Sequence, residues 1–317
     1  MTPAEISIII PMRDLEHEIG GILRSVAAQV TNRRVEFIVV DMGSADKSVI
    51  EALGLIKEQK LRGCVVQNGR DKFPTSLNTG IYKSSGEYVT FLFPRRLYRD
   101  FIDGYYETAL QSRADFIYGS TSEEEAFSRQ KGESARPGMD VFLDLINGKT
   151  NIDIGAMMVK RNFLIQENIR FTEECQFGFA EEFVLRILLC SHSVQQSKTV
   201  MQRDRVFGLN KNPKEKAGYT CFERIEAMRR VYDLLRSRHP ENKNLRDRFM
   251  YQKLPDTVLC CVDILLSEGA GYNAVRGALK VKGYDDYLKT GKATDMALKK
   301  QVSTWRYLPW MYKPRTK

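Results

Sequence analysis

Val35-Glu-Phe-Ile-Val-Val-Asp-Met-Gly-Ser-Ala-Asp46 is the stretch that decides the fold. Val35–Val40 is a short, mostly β-branched run, which suits a buried strand. Asp41-Met42-Gly43-Ser44 ends it, and Ser44 or Asp46 is placed to cap a helix over Lys47–Lys60. Upstream, Glu5–Ile10 is a second such run, closed by Pro11. Between the two, Leu15, Ile19, Ile22, Leu23 and Val26 recur at helical spacing over Leu15–Gln29. Downstream the alternation continues. Strands are expected at Arg62–Gln67, Glu87–Phe93 and Asp115–Tyr118, with helices at Thr75–Ser84 and Leu97–Ser112. Strands alternating with helices through short turns predict an α/β, Rossmann-like fold with a mostly parallel sheet flanked by helices.

The pattern breaks at Ser120–Gly138, a polar stretch containing Glu123-Glu124-Glu125, read as a surface loop. A strand at Asp153–Val159, a helix at Ala180–Leu189 and extended chain at Val194–Phe207 follow. After Lys211–Gly218 only helices are expected, at Phe222–Arg238 and Leu245–Leu266, the second kinked at Pro255. Two domains are therefore expected: an α/β domain over residues 1–215 and a helical, basic extension over 216–317.

Of 317 residues, 49 are Lys or Arg and 40 are Asp or Glu, a net charge of +9. The excess is local. Residues 272–317 hold eleven basic and three acidic side chains, so +8 of the +9 lies there. The α/β part is close to neutral, which argues against nucleic-acid binding by the whole chain. Six scattered cysteines and three histidines show no metal-ligand spacing, and reduced, mostly buried thiols are expected. With no long apolar run and no basic, apolar leader, a cytoplasmic protein is the expectation.

In open parallel sheets, ligands bind beyond the carboxyl ends of the strands. That directs attention to Pro11–Asp14, Asp41–Ser44, Gly69–Asn78 and Pro94–Arg96. None of these carries a dinucleotide G-x-G-x-x-G, a P-loop or a G-x-S-x-G elbow, so dehydrogenase, P-loop and α/β-hydrolase chemistry lose support.

Read in order, Ile6-Ser-Ile-Ile-Ile-Pro11, Ser25-Val-Ala-Ala-Gln29, Val35–Asp46, Leu77-Asn-Thr-Gly-Ile81 and Gly86-Glu-Tyr-Val-Thr-Phe-Leu92 resemble the opening of a family 2 glycosyltransferase of the GT-A fold. Asp153-Ile-Gly-Ala-Met-Met-Val159 and Phe179-Ala-Glu-Glu-Phe-Val-Leu-Arg186 continue the likeness. The resemblance implies displacement at the anomeric carbon of a nucleotide sugar, most simply a UDP-sugar. It implies an inverting course in which a carboxylate takes the acceptor's proton. On this likeness the catalytic residue is Glu182, with Glu181 beside it. The nucleotide would meet Pro11, Arg13, Asp41, Asn78, Arg95 and Arg96, with Asp14, Arg70 and Lys72 near the same rim. The acceptor would be a glycan or a lipid-linked sugar, and a partner glycosyltransferase or a homo-oligomer is a further expectation.

Three departures stand out. Met42 replaces the second aspartate of the usual pair. Leu77 occupies a slot where the family often has Arg. Phe93-Pro94-Arg95-Arg96 replaces the usual Asp-x-Asp-Asp, and none of these side chains offers the oxygen ligands a hard cation needs. A divalent metal in the usual site is therefore not expected. Either Arg95 and Arg96 take the metal's part against the diphosphate, or the donor site has decayed and the protein acts as a scaffold or regulator.

Other readings stay open at individual residues. Glu181 and Glu182 also suit a solvated first turn, where acids favour the helix dipole, with Arg186 pairing Glu182 at i,i+4. Asp41 also suits a turn. At the basic end, Trp305-Arg-Tyr-Leu-Pro-Trp310-Met-Tyr-Lys-Pro-Arg-Thr-Lys317 holds both tryptophans. This composition suits an anionic membrane surface, with the protein peripheral on the inner face, or packing against protein; nucleic acid is the weaker fit.

Overall fold

The computed structural model describes residues 3–29, 33–70, 72–93, 101–120, 134–200 and 216–315. The chain forms two compact units, one of Met1–Glu174 with Phe183–Asn210, the other of Cys175–Glu182 with Lys211–Lys317.

The first unit is built on a seven-stranded sheet of order β3-β2-β1-β4-β6-β5-β7. The strands are β1 (Ile6–Met12), β2 (Val35–Asp41), β3 (Gly63–Gln67), β4 (Tyr88–Phe91), β5 (Phe116–Ser120), β6 (Met157–Lys160) and β7 (Val194–Val200). β1 pairs in parallel with β2 and β4, β2 with β3, and β5 with β7; β6 runs antiparallel to its neighbours. Helices follow the strands: α1 (Ile19–Ala27), α2 (Ser48–Glu58), α3 (Phe73–Lys83), α4 (Phe101–Ser112), α5 (Gly138–Ile146), α6 (Arg161–Gln166) and α7 (Phe179–Cys190), the last divided between the units. The α/β, mostly parallel architecture is the one the alternation predicts.

β1 and β2 are buried along their whole lengths. That is why they read as continuous apolar runs rather than alternating ones: a parallel sheet is covered on both faces. Helix α3 lies so close to β1 that a Cβ on Gly80 would sit 2.3 Å from Ile9 Cγ2. The glycine of Leu77-Asn-Thr-Gly-Ile81 is thus a packing requirement. Leu77, in the slot where Arg was the family habit, is fully buried.

The strand expected at Asp153–Val159 begins later. The Asp153 carboxylate accepts from the Gly155 N–H at 2.8 Å and caps a 3-10 turn over Ile154–Ala156, so pairing starts only at Met157. Glu123–Glu125 lie outside the described residues.

The second unit is helical beyond its short entry: α8 (Glu223–Arg238), α9 (Lys243–Arg248), α10 (Leu254–Ser267), α11 (Tyr272–Lys282) and α12 (Met296–Tyr307). The kink expected at Pro255 takes the form of a π turn over Phe249–Lys253, which leaves Pro255 in the first turn of α10. Pro255 has no N–H to donate into the preceding turn, and the π turn falls at that break in the hydrogen-bond ladder. Phe222, Ile225, Val258, Val262, Val275, Leu279, Trp305 and Tyr312 share one core. No helix among the described residues is long and apolar enough to cross a membrane.

Gly80→Ala forces α3 away from β1 or displaces Ile9. It is expected to lower stability by about 1–3 kcal/mol, the usual cost of overpacking a tight contact. Thermal melting of the two proteins checks this.

Candidate active site

Four parallel strands, β1 to β4, present their carboxyl ends along one edge of the sheet. The order 3-2-1-4 means the chain winds one way from β1 to β3 and then returns to the far side of β1. The switch point lies between β1 and β4, where α/β sheets open a crevice. Met12-Arg13-Asp14 leaves one side of it and Leu92-Phe93 the other. Arg95 and Arg96, with Pro94, lie outside the described residues.

The loops after β1 and β2 are laced together. The Asp14 N–H donates to Ser44 Oγ at 3.0 Å, and the Ala45 N–H donates to Asp14 Oδ1 at 2.8 Å. The Glu16 N–H donates to Asp46 Oδ2 at 3.0 Å, and the Lys47 N–H to Glu16 Oε2 at 3.0 Å. Asp46 also accepts from the Ser48 N–H at 2.9 Å, so it, rather than Ser44, supports the start of α2. Asp14 adopts φ +50°, a left-handed conformation that aspartate tolerates better than most residues.

Asp41 sits under this lacework and is almost fully buried. Ser44 Oγ donates to its Oδ1 at 2.5 Å, and the Gly43 and Ser44 N–H groups reach the carboxylate at 3.2–3.4 Å. Its oxygens therefore hold the turn. Met42 is buried, and its N–H donates to Met12 O at 2.8 Å, extending the β1–β2 pairing. A side chain at position 42 thus faces the core here. Pro11 is buried within β1. Arg13 is a cation at this rim, its side chain 48% exposed and 3.8 Å from Asp14, and Arg70 lies against Gly43 of the same turn.

Asn78 is engaged from both ends of its amide. Nδ2 donates to Phe171 O at 2.9 Å and to Glu173 Oε1 at 3.1 Å, while Oδ1 accepts from the Phe171 N–H at 2.9 Å. It clips α3 to the segment before α7. Beside the clip, Phe171 stacks on Phe183 at 3.7 Å, and both meet Phe91 edge-on at 5.4 and 5.9 Å.

The acidic pair belongs to the second unit and is not a solvated first turn. Glu182 is 1% exposed. Arg230 grips it with both forks, Nε to Oε1 and Nη2 to Oε2, each at 2.8 Å. Arg186, the i,i+4 partner suggested by spacing, instead donates to the Arg170 carbonyl at 2.8 Å. Glu181 is bridged by Arg224, at 2.8–2.9 Å, and by Lys253. Burial alone would raise its carboxyl, but the charges of Lys253 and Arg224 and the bonds they donate outweigh burial and hold it at about 2. A carboxylate that acidic is a poor proton acceptor near neutral pH. Cys175, in the same unit, has its thiol pushed up to about 11 by burial, with Glu182 adding to the effect, so it stays protonated.

Arg224, Arg230 and Lys253 escape a reading of the sequence. They lie 43 to 72 residues beyond the acids they hold. The only trace is a charged helix, α8, whose basic residues look like an ordinary solvated face. Among the described residues, no three His, Cys, Asp or Glu side chains gather where they could hold a metal ion.

Residues 7–92 match the profile of glycosyl transferase family 2. That segment ends where β4 reaches the switch point. S. aureus TarS 1–349 in complex with UDP superposes with a TM-score of 0.68 at 14% identity, covering 95% of this chain and 87% of that one. Its complex with UDP-GlcNAc gives 0.63 over the same shares at the same identity. Mannosyltransferase PcManGT from Pyrobaculum calidifontis, in complex with GDP-Man and Mn2+, gives 0.55 at 14% identity, covering 98% and 86%. No curated protein sequence matches the chain. The fold is that of the GT-A glycosyltransferases, and the chain resembles family 2 of that class.

Glu181, held below its ordinary value of 4.5, stabilises the fold above that pH, and the contribution is lost as pH falls toward 2. Glu181→Gln is expected to be less stable at neutral pH and to show a shallower loss between about 4.5 and 2. Melting temperatures measured across that range check both.

Proposed function

We propose that the protein transfers a sugar from a nucleotide sugar, with a UDP-sugar as donor, to a glycan or lipid-linked acceptor. The observation that carries the reading is the switch-point edge of the sheet, formed by the same residues, 7–92, that match the family. The UDP and UDP-GlcNAc named with TarS favour uridine as the base. In the reaction, an acceptor hydroxyl oxygen attacks the anomeric carbon as the bond to the diphosphate breaks. The diphosphate leaves on the nucleotide and the configuration inverts. The hydroxyl proton passes to Glu182.

Arg230 donates to both oxygens of Glu182. It fixes the carboxylate's orientation. No step is routed through a divalent cation, because Phe93-Pro94-Arg95-Arg96 supplies no carboxylate where the family's metal is held. Arg95 and Arg96 are the groups to balance the leaving diphosphate, with Arg13 as a further cation at the rim. The basic end keeps the protein peripheral at the inner, cytoplasmic face of a membrane, where a lipid-linked acceptor is presented.

A second reading rests on the same contacts. Asp41 and Asn78 spend their polar atoms on the protein's own backbone and side chains. Glu182 is buried, and both of its oxygens are engaged by Arg230. A homologue that has lost catalysis and serves an active partner would look like this.

Calorimetry with UDP-, GDP- and dTDP-sugars, with and without manganese, separates the two. Tight UDP-sugar binding independent of manganese is expected; no binding of any nucleotide overturns the enzyme reading. Where turnover is measured, Glu182→Gln is expected to cut kcat by about 10²–10⁴ with little change in donor affinity.

A further inference from the structure

The basic, aromatic end divides cleanly into buried and exposed halves. Trp305 and Tyr312 are core residues, 2% and 3% exposed, packed edge-on at 5.4 Å. Tyr312 Oη donates to Asp263 Oδ1 at 2.6 Å, and Arg315 bridges Asp256 and Asp263. These contacts fasten both ends of the segment to α10 and its neighbours. Between them, Pro309 is buried, but Tyr307, Leu308, Trp310 and Met311 are 69%, 42%, 68% and 60% exposed. Four large apolar side chains thus project within five residues from a clamped base. A soluble chain has no reason to hold them there unless something apolar meets them.

The surroundings specify what that is. A cleft of about 440 Å³ in the same unit begins at Tyr307 and is lined by Arg276, Lys280 and Arg306, with Asn273 and a single carboxylate, Asp285. Arg306 Nη1 donates to Leu288 O at 3.0 Å, and Arg276 Nη2 donates to Arg306 O at 3.5 Å. Neutral carbonyls position these guanidiniums without cancelling their charge. Arg276, Lys280, Lys282, Lys300, Arg306 and Lys313 are exposed and form no ion pair among the described residues. An apolar ledge bordered by unpaired cations is complementary to a layer with phosphate at its surface and hydrocarbon beneath.

We propose that Tyr307–Met311 inserts into an anionic lipid bilayer, with Trp310 and Met311 below the headgroups and the Arg276/Lys280/Arg306 cleft taking a lipid phosphate. The inference deepens the peripheral-membrane part of the reading above and does not depend on the sugar chemistry.

Vesicles of phosphatidylglycerol and phosphatidylcholine in equal parts, against phosphatidylcholine alone, provide the test on the full chain. Co-sedimentation with the anionic vesicles is expected, weakening at high salt as the charges are screened. Of the two tryptophans only Trp310 is exposed, so a blue shift of emission on binding reports its transfer from water. Trp310→Ala with Met311→Ala is expected to reduce binding by about tenfold or more, and Arg276→Glu with Lys280→Glu similarly. Both pairs are exposed, so unchanged melting curves exclude unfolding as the cause. Equal recovery on neutral and anionic vesicles, no spectral shift, or undiminished binding by the apolar double variant overturns the proposal. So does self-association of the wild type that the same variant abolishes, which would make the ledge a contact between copies. Donor calorimetry is unaffected by any of these results, so failure here leaves the transferase reading standing.

Discussion

The complete burial of β1 is the constraint from which the switch-point edge follows. A strand covered on both faces and paired on both sides can only be central. With β2 and β3 on one flank and β4 on the other, the chain must reverse its direction of winding beside β1. The gap that results at the carboxyl ends is a consequence of topology, not of any catalytic side chain. The Gly80 contact strengthens this: by letting α3 approach β1, it fixes Asn78 where it can hold the Phe171 segment.

Within that frame the fold was legible from the sequence because its signals are local. Uninterrupted runs such as Ile6–Ile10 and Val35–Val40 announce doubly covered strands. Helical spacing and turn residues then place most helices to within a few positions. Where a local signal competed with tertiary pairing, the reading slipped. The Asp153 carboxylate stops the strand from starting until Met157, and the π turn absorbs the break that Pro255 imposes.

The candidate site residues were legible in type but not in the contacts they make. The identity of Glu182 and its place at the start of a helix are visible in Phe179-Ala-Glu-Glu, and so was its reading as solvent-facing. The partner that overturns the solvated reading, Arg230, lies on another helix, and no pattern of spacing connects the two. The same holds for Asp41: its residue type suits both a ligand contact and a turn, and only the distances to Ser44 and Gly43 show which bonds it makes. At the basic end, composition grouped Trp305 with Trp310, whereas packing sends one to the core and leaves the other in water.

The π turn over Phe249–Lys253 has a consequence of its own. A π turn holds one residue more than an α turn, so it shifts the phase of everything after it by about 100° relative to an unbroken helix. Lys253 is the last residue of that turn, and it is one of the two cations on Glu181. The charge on Glu181 is therefore answered by a count of residues as much as by their chemistry. Removing any one of the four residues before it, Phe249–Gln252, would let the helix run regularly and would carry the ammonium around to a different face, with the lysine itself unchanged.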